Sequence, residues 1–465
     1  MATTTVSIGS NQSIDTETPA GSSGSGPSYV VTFGTTPSGI SVGDIGFMDT
    51  EDAGGGSASD YTFLVTAISG ANITLKYLTD TGGKGDHSPL GLYTGGGSSG
   101  SPTQAPMVFK RAFSTITLFE AMIDDSSPAY WGSSDDVVGE LHADSTFTDN
   151  TVNFDNKQSL SSVTLSVHSD DRHDGTAESG ALWKPTSGSG HNQGILRINI
   201  DNMIAEWLDI SLASLTSANT NKAIVLVGTN DDNIIRNNLI HDSDGNPGGT
   251  GPFMIHILGA GASSDTLTVQ NNIIYNIVEG SNDNAAAMLF DQWAGTVNVY
   301  NNTIYNIVSQ GGSKVAIGIR SSNPSGSTSN VKNNIVAKLV SAASNGERAF
   351  EDGPANGSSG TFNEAYNLSD DTSATIYDAR GTGSLANKTL AEIDFVSVGV
   401  GSEDLHIDDD SVCRQAGVDL GTTNNVNIDI DGFDRDAAGV VWDIGADQTA
   451  NDSTGNPAFL MFLDV

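Results

Sequence analysis

The chain has 465 residues, only one of them cysteine, so an internal disulfide is excluded. Acidic residues outnumber basic ones by 56 to 19, and a net charge of −37 repels nucleic acid and anionic membranes, so neither is an expected partner. The 54 glycines and an apolar fraction of 37% are typical of a turn-rich folded β chain, and no segment is apolar over the length of a membrane span.

The first hundred residues divide by composition into three segments. Residues 1–28 are rich in Ser, Thr and Gly, which predicts a flexible or docking N-terminal arm. The arm begins without the basic and apolar stretches of a secretory signal, so no signal is expected. Short strands and a hairpin turn at residues 69–71 predict a small β-sandwich or barrel domain over residues 29–94, and residues 95–108 have the composition of a linker.

A short amphipathic helix is predicted at residues 114–124. The spacing of Thr117 and Glu120 indicates a capping box, with Ser114 as an alternative N-cap. One helical face is formed by Phe119, Met122 and Ile123. A helix of this kind, directly before a solenoid, is expected to cap the open end of the first coil.

Residues 109–448 contain a repeated phrase of short apolar strands separated by turns rich in Gly, Ser, Asn and Asp. Asn-Asn pairs recur in it about every 30 to 34 residues, starting at Asn237, Asn271, Asn301 and Asn333. A period in this range indicates a stacked repeat array. Two or three strands per repeat, without a helical period, predict a right-handed parallel β-helix solenoid in an all-β chain. Residues 389–448 are predicted to be its closing module.

The Asn pairs are expected to have a structural role. Asn tolerates the left-handed backbone of a sharp corner, and stacked Asn side chains can hydrogen-bond from coil to coil. The predicted ladder consists of Asn237, Asn238, Asn271, Asn272, Asn301, Asn302, Asn333 and Asn334.

A first cluster of candidate catalytic residues lies in the segment SDDRHDG. Carboxylates beside an Arg and a His could hold a metal and a base, as an eliminase acting on an acidic sugar polymer requires. A polar corner with internal salt bridges is the alternative, because neighbours in a strand point to opposite faces. The candidates are Asp170, Asp171, Arg172, His173 and Asp174.

A second cluster is formed by Asp231 and Asp232 with His241, Asp242 and Asp244 about ten residues further on. Two carboxylates at the separation of a glycosidase pair could form across one coil. The alternative is turn chemistry, since β-helix loops are rich in Asp.

A third cluster, Asp429, Asp431 and Asp434 in IDIDGFDRD, approximates a Ca²⁺ loop without the spacing of an EF-hand. A turn is the alternative. No cofactor is expected, and Ca²⁺ binding at this cluster is left open.

The C-terminal tail, residues 449–465, ends in a strongly apolar run. Such a run must dock, either onto its own coils or onto a sheet edge of a neighbouring subunit. The predicted docking residues are Phe459, Leu460, Met461, Phe462 and Leu463.

The closing module resembles the last coil of many right-handed parallel β-helix proteins, which often read SPxIDAG, DIDGxxR and DIGAxE. Residues 404–420 read DLHIDDDSVCRQAGVDL, and DIDGFDRD and WDIGADQ follow at 429–436 and 442–448. Val412 replaces the usual Pro, Arg414 and Gln415 replace Ile-Asp, and Gln448 replaces a common acid. FSTITLFEAM, VGELHADSTFTD and DRHDGTAESGALWKP also resemble β-helix proteins of phage and environmental phage-like genomes.

This resemblance covers about residues 113–448. It implies the pectin-lyase-like fold, which polysaccharide lyases, glycosidases and phage tailspikes share, and a fold does not fix function. The catalytic signatures of pectate lyases and polygalacturonases are not found at matching positions, so no family catalytic residue is carried over.

These observations favour a non-enzymatic virion surface protein, a fibre, spike or capsid decoration, on a particle assembled in the host cytoplasm. Its expected partners are other virion proteins or its own subunits, through the N-terminal region and the C-terminal tail, and a host glycan is a further candidate. Two alternatives stay open. One is a tailspike-type depolymerase, a lyase or glycoside hydrolase that cleaves a host polysaccharide, and the other is a secreted adhesin.

Overall fold

The computed structural model is an all-β protein built on a parallel β-helix, with a separate antiparallel sheet near the N-terminus, which confirms the predicted fold class. Among the residues that the structure describes, no helix is long and apolar enough to cross a membrane. The described residues are 2–11, 13–17, 19–25, 28–48, 61–78, 107–125, 131–187, 194–213, 215, 222–228, 231–243, 251–259, 261–280, 284–344, 346–353, 360–370, 377–437 and 440–449.

Three parallel sheets run along the β-helix, and successive coils add one strand to each; strands are numbered in chain order. Sheet 1 consists of β1 (Thr3–Ile8), β9 (Asp136–Leu141), β11 (Ser162–Val167), β14 (Met203–Glu206), β17 (Asn233–Arg236), β20 (Thr266–Gln270), β23 (Thr296–Tyr300), β26 (Thr328–Lys332) and β29 (Thr361–Ala365). Sheet 2 consists of β12 (Leu182–Trp183), β15 (Asp209–Ser211), β18 (Leu239–Ser243), β21 (Ile273–Glu279), β24 (Thr303–Ser309), β27 (Ile335–Ser341) and β30 (Leu368–Ser369). Sheet 3 consists of β10 (Val152–Phe154), β13 (Leu196–Ile198), β16 (Ile224–Val227), β19 (Phe253–Leu258), β22 (Ala285–Asp291), β25 (Ala316–Ser322) and β28 (Glu347–Asp352).

The core is a column of stacked aliphatic side chains. Ile274 of β21 pairs with Ile304 of β24, and Ile304 pairs with Val336 of β27. Met288 pairs in the same way with Ile319 in sheet 3. All five side chains are fully buried. Burial of each is worth about 1.5–3 kcal/mol, so every added coil extends the core that the preceding coil leaves open.

Each Asn-Asn pair lies at the corner between sheet 1 and sheet 2, and its second member forms a buried ladder. Asn238 donates its side-chain amide to Asn272, Asn272 to Asn302, and Asn302 to Asn334, each at 2.9 Å. Asn367, which the Asn-Asn pattern does not include, is a further rung, 3.0 Å from Asn334. Each of these side-chain oxygens also accepts the backbone N–H of the second Asn in the preceding coil, which satisfies a corner donor that would otherwise be buried unpaired.

The first member of each pair takes the left-handed backbone that the sharp corner needs. Its φ is 54° in Asn237, Asn271 and Asn301 and 57° in Asn333.

The N-terminal end of the β-helix is covered by β1 and by helix α1 (Ile116–Ile123). β1, which falls within the predicted N-terminal arm, pairs in parallel with β9 and is the outermost strand of sheet 1. Helix α1 buries Ile116, Phe119 and Ile123 in the main core. Phe119 packs against the Phe154 ring at 6.1 Å between centroids.

The cap of α1 differs from the predicted one. The N-cap is Thr115, whose side chain accepts the Leu118 backbone N–H at 3.1 Å. Thr117 is already inside the helix, and its hydroxyl donates to Asp149 at 2.5 Å. The capping box predicted at Thr117 and Glu120, and the alternative at Ser114, were therefore wrong, because Thr115 and Thr117, two positions apart, offer competing N-cap positions.

The N-terminal sheet is antiparallel and has the strand order β2 (Asp15–Glu17), β8 (Met107–Lys110), β5 (Ile45–Met48), β6 (Tyr61–Ser69), β7 (Asn72–Tyr77), β4 (Ser28–Phe33) and β3 (Pro19–Ser25). The predicted hairpin is formed by β6 and β7. The sheet takes strands from both sides of the predicted 29–94 domain. Buried Arg111 joins it to the β-helix, since its guanidinium binds Asp44 at 3.0 Å and Asp144 at 2.9 Å.

The closing module folds back along the side of the coils. It contains helix α2 (Leu390–Ile393) and a hairpin of β31 (Phe395–Gly399) and β32 (Ser402–Ile407). Residues 418–429, here called the strap, run along the corner between sheets 1 and 2. The first Asn of each pair donates its side-chain amide to a strap carbonyl: Asn333 to Val418 at 2.8 Å, Asn301 to Val426 at 3.1 Å, Asn271 to Ile428 at 2.7 Å, and Asn237 to Asp429.

Arg435 fixes the end of the closing module. Its guanidinium is fully buried and donates to the carbonyls of Gly445 at 2.9 Å and Ala446 at 2.8 Å. A buried cation that satisfies backbone carbonyls in this way is costly to remove, because the carbonyls then lose their donors.

Candidate functional site

A groove of about 640 Å³ lies between sheet 2 and the β31–β32 hairpin, and we call it the sheet 2 groove. It is lined by Thr176, Ala177, Glu178, His241, Asp242, Tyr275, Ser397, Gly401, Ser402, Glu403 and Asp404. Sheet 2 and the turn at residues 176–178 supply one side and the closing module the other, so the groove depends on the folding back of the module.

His241 at the base of the groove is held as a cation between two carboxylates. Its Nε2 lies 2.9 Å from Oδ1 of buried Asp209, and its Nδ1 lies 2.9 Å from Oδ2 of Asp242. Burial lowers the pKa of His241, but the hydrogen bonds and charges of the two aspartates outweigh it and raise the pKa to about 9. The ring also stacks on Tyr275 at 5.3 Å between centroids. Both ring nitrogens are therefore engaged, and the ring is locked.

A row of left-handed residues runs up the outer face of sheet 2 beside His241. Asp242, Asn276, Asn306 and Lys338 have φ values of 55° to 58°, and the strand pairing skips each of them, as at a bulge. Asn306 donates to the Asn276 side-chain oxygen at 2.7 Å. Asp242 of this row lines the groove, and Asn276 contacts the lining residue Glu403.

Asn276 joins two carboxylates across the groove. Its Nδ2 donates to Oδ1 of Asp242 at 3.1 Å and to Oε1 of Glu403 at 2.9 Å, so these two oxygens lie no more than 6.0 Å apart. Burial raises the pKa of Asp242, but the hydrogen bond and charge of His241 reverse this, and the net shift is downward. The site therefore presents an ionised Asp242 that can accept hydrogen bonds from a polyhydroxylated ligand.

The structure separates the residues of the first predicted cluster. Asp171 lies 3.0 Å from Nδ1 of His142, and Arg172 stacks over Trp207. His173 is buried, and its Nε2 lies 3.0 Å from the Asn237 carbonyl oxygen. Asp174 accepts hydrogen bonds from Thr176 within its own turn. Asp170 is exposed. These side chains do not converge on one point.

The second predicted cluster is divided between two sheets. Asp231 accepts the backbone N–H of Thr266 at 2.8 Å beside sheet 1. Asp232 lines a different groove of about 450 Å³ beside sheet 1, and burial with the Asp231 charge raises its pKa. His241 and Asp242 lie in the sheet 2 groove. Asp244 is outside the described residues.

The third predicted cluster is also divided. Asp429 is buried and accepts the backbone N–H groups of Asp431 and Phe433 at 3.0 and 2.7 Å, and burial raises its pKa to about 7. Asp434 accepts the side-chain amide of Asn427 at 2.7 Å. Asp431 lies instead 3.2 Å from Nε2 of His406. The predicted docking residues 459–463 lie outside the described residues.

Sequence reasoning missed Asp209, Asn276 and Glu403. A signal for Asn276 was available, because Asp242, Asn276 and Asn306 each lie five positions after the first Asn of their repeat. Glu403 carries no comparable signal, since it reaches the groove only through the folding back of the closing module.

The strand pairing defines the chain as a parallel β-helix protein. No family model matches it, and no curated protein matches it. Among solved structures it is similar to the tailspike protein gp49 from Pseudomonas phage LKA1, with 11% sequence identity and a TM-score of 0.20 over 83% of this chain and 67% of that one. Agreement this low says nothing about function, and the fold is defined by the sheets themselves.

Proposed function

We propose that the chain is a non-enzymatic structural protein of a virion surface, a fibre, spike or decoration, in which the β-helix is the rigid body. The observation that carries this proposal is the double use of the Asn pairs. One member locks coil to coil, and the other locks the coils to the strap, from Asn333 to Asn237. A solenoid braced inside and outside resists bending and shear, which a projecting surface component requires.

The chemistry of the sheet 2 groove supports the same proposal. Both nitrogens of His241 are bonded to carboxylates, so no free imidazole nitrogen is available there as a base. The resemblance of residues 113–448 to phage-like β-helix proteins supports the virion setting. Partners of this protein would be other virion proteins or further copies of the chain, reached through the N-terminal region and the C-terminal tail.

Immunogold electron microscopy of purified particles from cells that express the chain tests this proposal. We expect label on the particle surface and co-sedimentation of the chain with particles. A chain that stays in the supernatant while particles assemble and infect normally would contradict a virion role. Release of oligosaccharides from a host polysaccharide by the purified chain would contradict the non-enzymatic part.

A second candidate function is cleavage of a polysaccharide in the sheet 2 groove, favoured by the separation of at most 6.0 Å between oxygens of Asp242 and Glu403. Retaining glycosidases hold their two carboxyl groups about 5–5.5 Å apart, and inverting ones hold them further apart. The lowered pKa of Asp242 keeps this carboxylate ionised, as the nucleophile of such a pair must be, and Glu403 would be the second carboxyl group.

Incubation with capsular polysaccharides distinguishes the two functions. Cleavage that Glu403→Gln abolishes, and that Asp232→Asn in the other groove leaves intact, would establish the second function. Binding of a polysaccharide without cleavage would leave the structural proposal standing with a glycan as partner.

A further inference from the structure

Two histidines and an aspartate meet at a corner of the first coils. His142 directly follows β9 and His168 directly follows β11, and these strands pair with Leu141 opposite Val167, so the histidines occupy equivalent positions in adjacent coils. Their rings stack at 4.6 Å between centroids with a 27° tilt. Asp171 ends the 3₁₀ turn that follows His168, and its Oδ2 lies 3.0 Å from Nδ1 of His142.

We propose that His142, His168 and Asp171 bind a divalent transition-metal ion such as Zn²⁺ or Co²⁺. One nitrogen of each ring and one carboxylate oxygen lie within 4.8 Å of one another. Ligand atoms about 2.0–2.2 Å from a tetrahedral ion are roughly 3.4 Å from one another, so side-chain shifts of about 1 Å would bring these three atoms to coordination distance. Two imidazoles and one carboxylate suit Zn²⁺ and related ions, whereas Ca²⁺ and Mg²⁺ prefer oxygen ligands alone.

The fold uses only part of the bonding capacity of His142. Its side chain is 2% exposed, its Nδ1 is bonded to Asp171, and its Nε2 is buried without a hydrogen-bond partner. A buried polar atom left unpaired is costly, so the fold alone does not account for every polar atom of this ring. The position of the ring is fixed as well, because the His142 backbone N–H donates to the Ile8 carbonyl at 2.9 Å.

A second group of similar composition differs in the state of its histidine. His406 lies near Asp431 and Asp447, but its two ring nitrogens already face Asp404 at 2.5 Å and Asp431 at 3.2 Å. Burial lowers the pKa of His406, and the surrounding aspartates raise it to about 10, so the ring is a cation. Both ring nitrogens of His406 are thus already paired with carboxylates, and this group is an ion-pair network.

Titration of the full chain, first stripped with a chelator, tests the metal site. Co²⁺ binding is followed by visible absorption and Zn²⁺ binding by calorimetry. We expect one equivalent of tight binding, weakened at least ~10-fold by His168→Ala and by Asp171→Asn. Asp170→Asn, which changes the exposed neighbouring acid, and Asp431→Asn, which alters the His406 group, are expected to bind as the unmodified chain does. Circular dichroism in chelator checks that each variant is folded.

Three outcomes would overturn the proposal. The first is the absence of stoichiometric binding by the unmodified chain. The second is binding that persists in folded His168→Ala and Asp171→Asn. The third is equal weakening by Asp170→Asn, which would indicate diffuse attraction of cations to an acidic surface. If His168→Ala does not fold, Asp171→Asn against Asp170→Asn decides the matter, because both changes are isosteric.

Discussion

Replacement of Asn302 by Ala tests how much the buried ladder contributes to the β-helix. The Asn302 side chain makes five hydrogen bonds: its amide donates to Val269, Tyr300 and Asn334, and its oxygen accepts the backbone and side-chain N–H groups of Asn272. Each is worth about 1 kcal/mol net, and a buried donor left unpaired costs about 1–3 kcal/mol. The amide has only two N–H groups, so its three donated contacts count as two bonds, and four bonds at about 1 kcal/mol each give an expected loss in the free energy of unfolding of at least about 4 kcal/mol.

Asn330→Ala is the matched control, since Asn330 belongs to an outer Asn row of the same coils. Asn330 donates to Asn298 at 2.9 Å and accepts from Asn363 at 3.0 Å, but it is half-exposed. Water replaces these bonds, so a loss of about 0.5 kcal/mol is expected. Guanidinium denaturation followed by circular dichroism, with amide exchange of β20 to β24, measures both variants. Equal losses, or a loss below about 1 kcal/mol for Asn302→Ala, would refute the reasoning.

Three further predictions concern the two ends of the β-helix and the sheet 2 groove. Gly139→Ala places a methyl group 2.7 Å from the Phe119 ring. The packing of helix α1 on the first coil is therefore expected to weaken, at a cost of about 1–3 kcal/mol in the free energy of unfolding. Faster proteolysis at the N-terminal end would show it. His241 has a pKa of about 9 in the folded state against about 6.5 in the unfolded state. Its contribution to stability, on the order of 3 kcal/mol, is therefore complete below about pH 6.5 and lost as the pH rises through 9. Thermal melts across this range should show the melting temperature fall, and Asp209→Asn should flatten this pH dependence. Arg435→Leu is expected to cost about 3–5 kcal/mol and to free the closing module for limited proteolysis, whereas unchanged protection would contradict its anchoring role.

The sequence predicted the repeat architecture because the periodic signal is local. Apolar strands and Asn pairs recur at a fixed spacing, and only stacked coils can bury such strands. The amphipathic helix was also predictable from Phe119 and Ile123, which the structure buries. Its cap was not, because Thr115 and Thr117 both satisfy local capping rules and only packing against the core selects between them.

The candidate site depended on contacts that no local pattern encodes. Asp171 was found by its cluster of charges, but its partner His142 lies one coil away. Asp231 and His241 look like neighbours in the chain, yet a corner places them on different sheets. Glu403 reaches Asn276 over 127 positions, through the fold-back of the closing module.

The sequence by itself determined that this protein is a stack of β coils with Asn at its corners. The apolar strands that must be buried and the Asn residues that adopt left-handed turns are both visible in the local sequence. The tertiary structure alone decided that the first Asn of each pair faces outward to the strap and the second inward to the ladder. It also decided which charges meet. Those outcomes depend on strand register and on the path of the closing module, which arise from long-range pairing rather than from neighbouring residues.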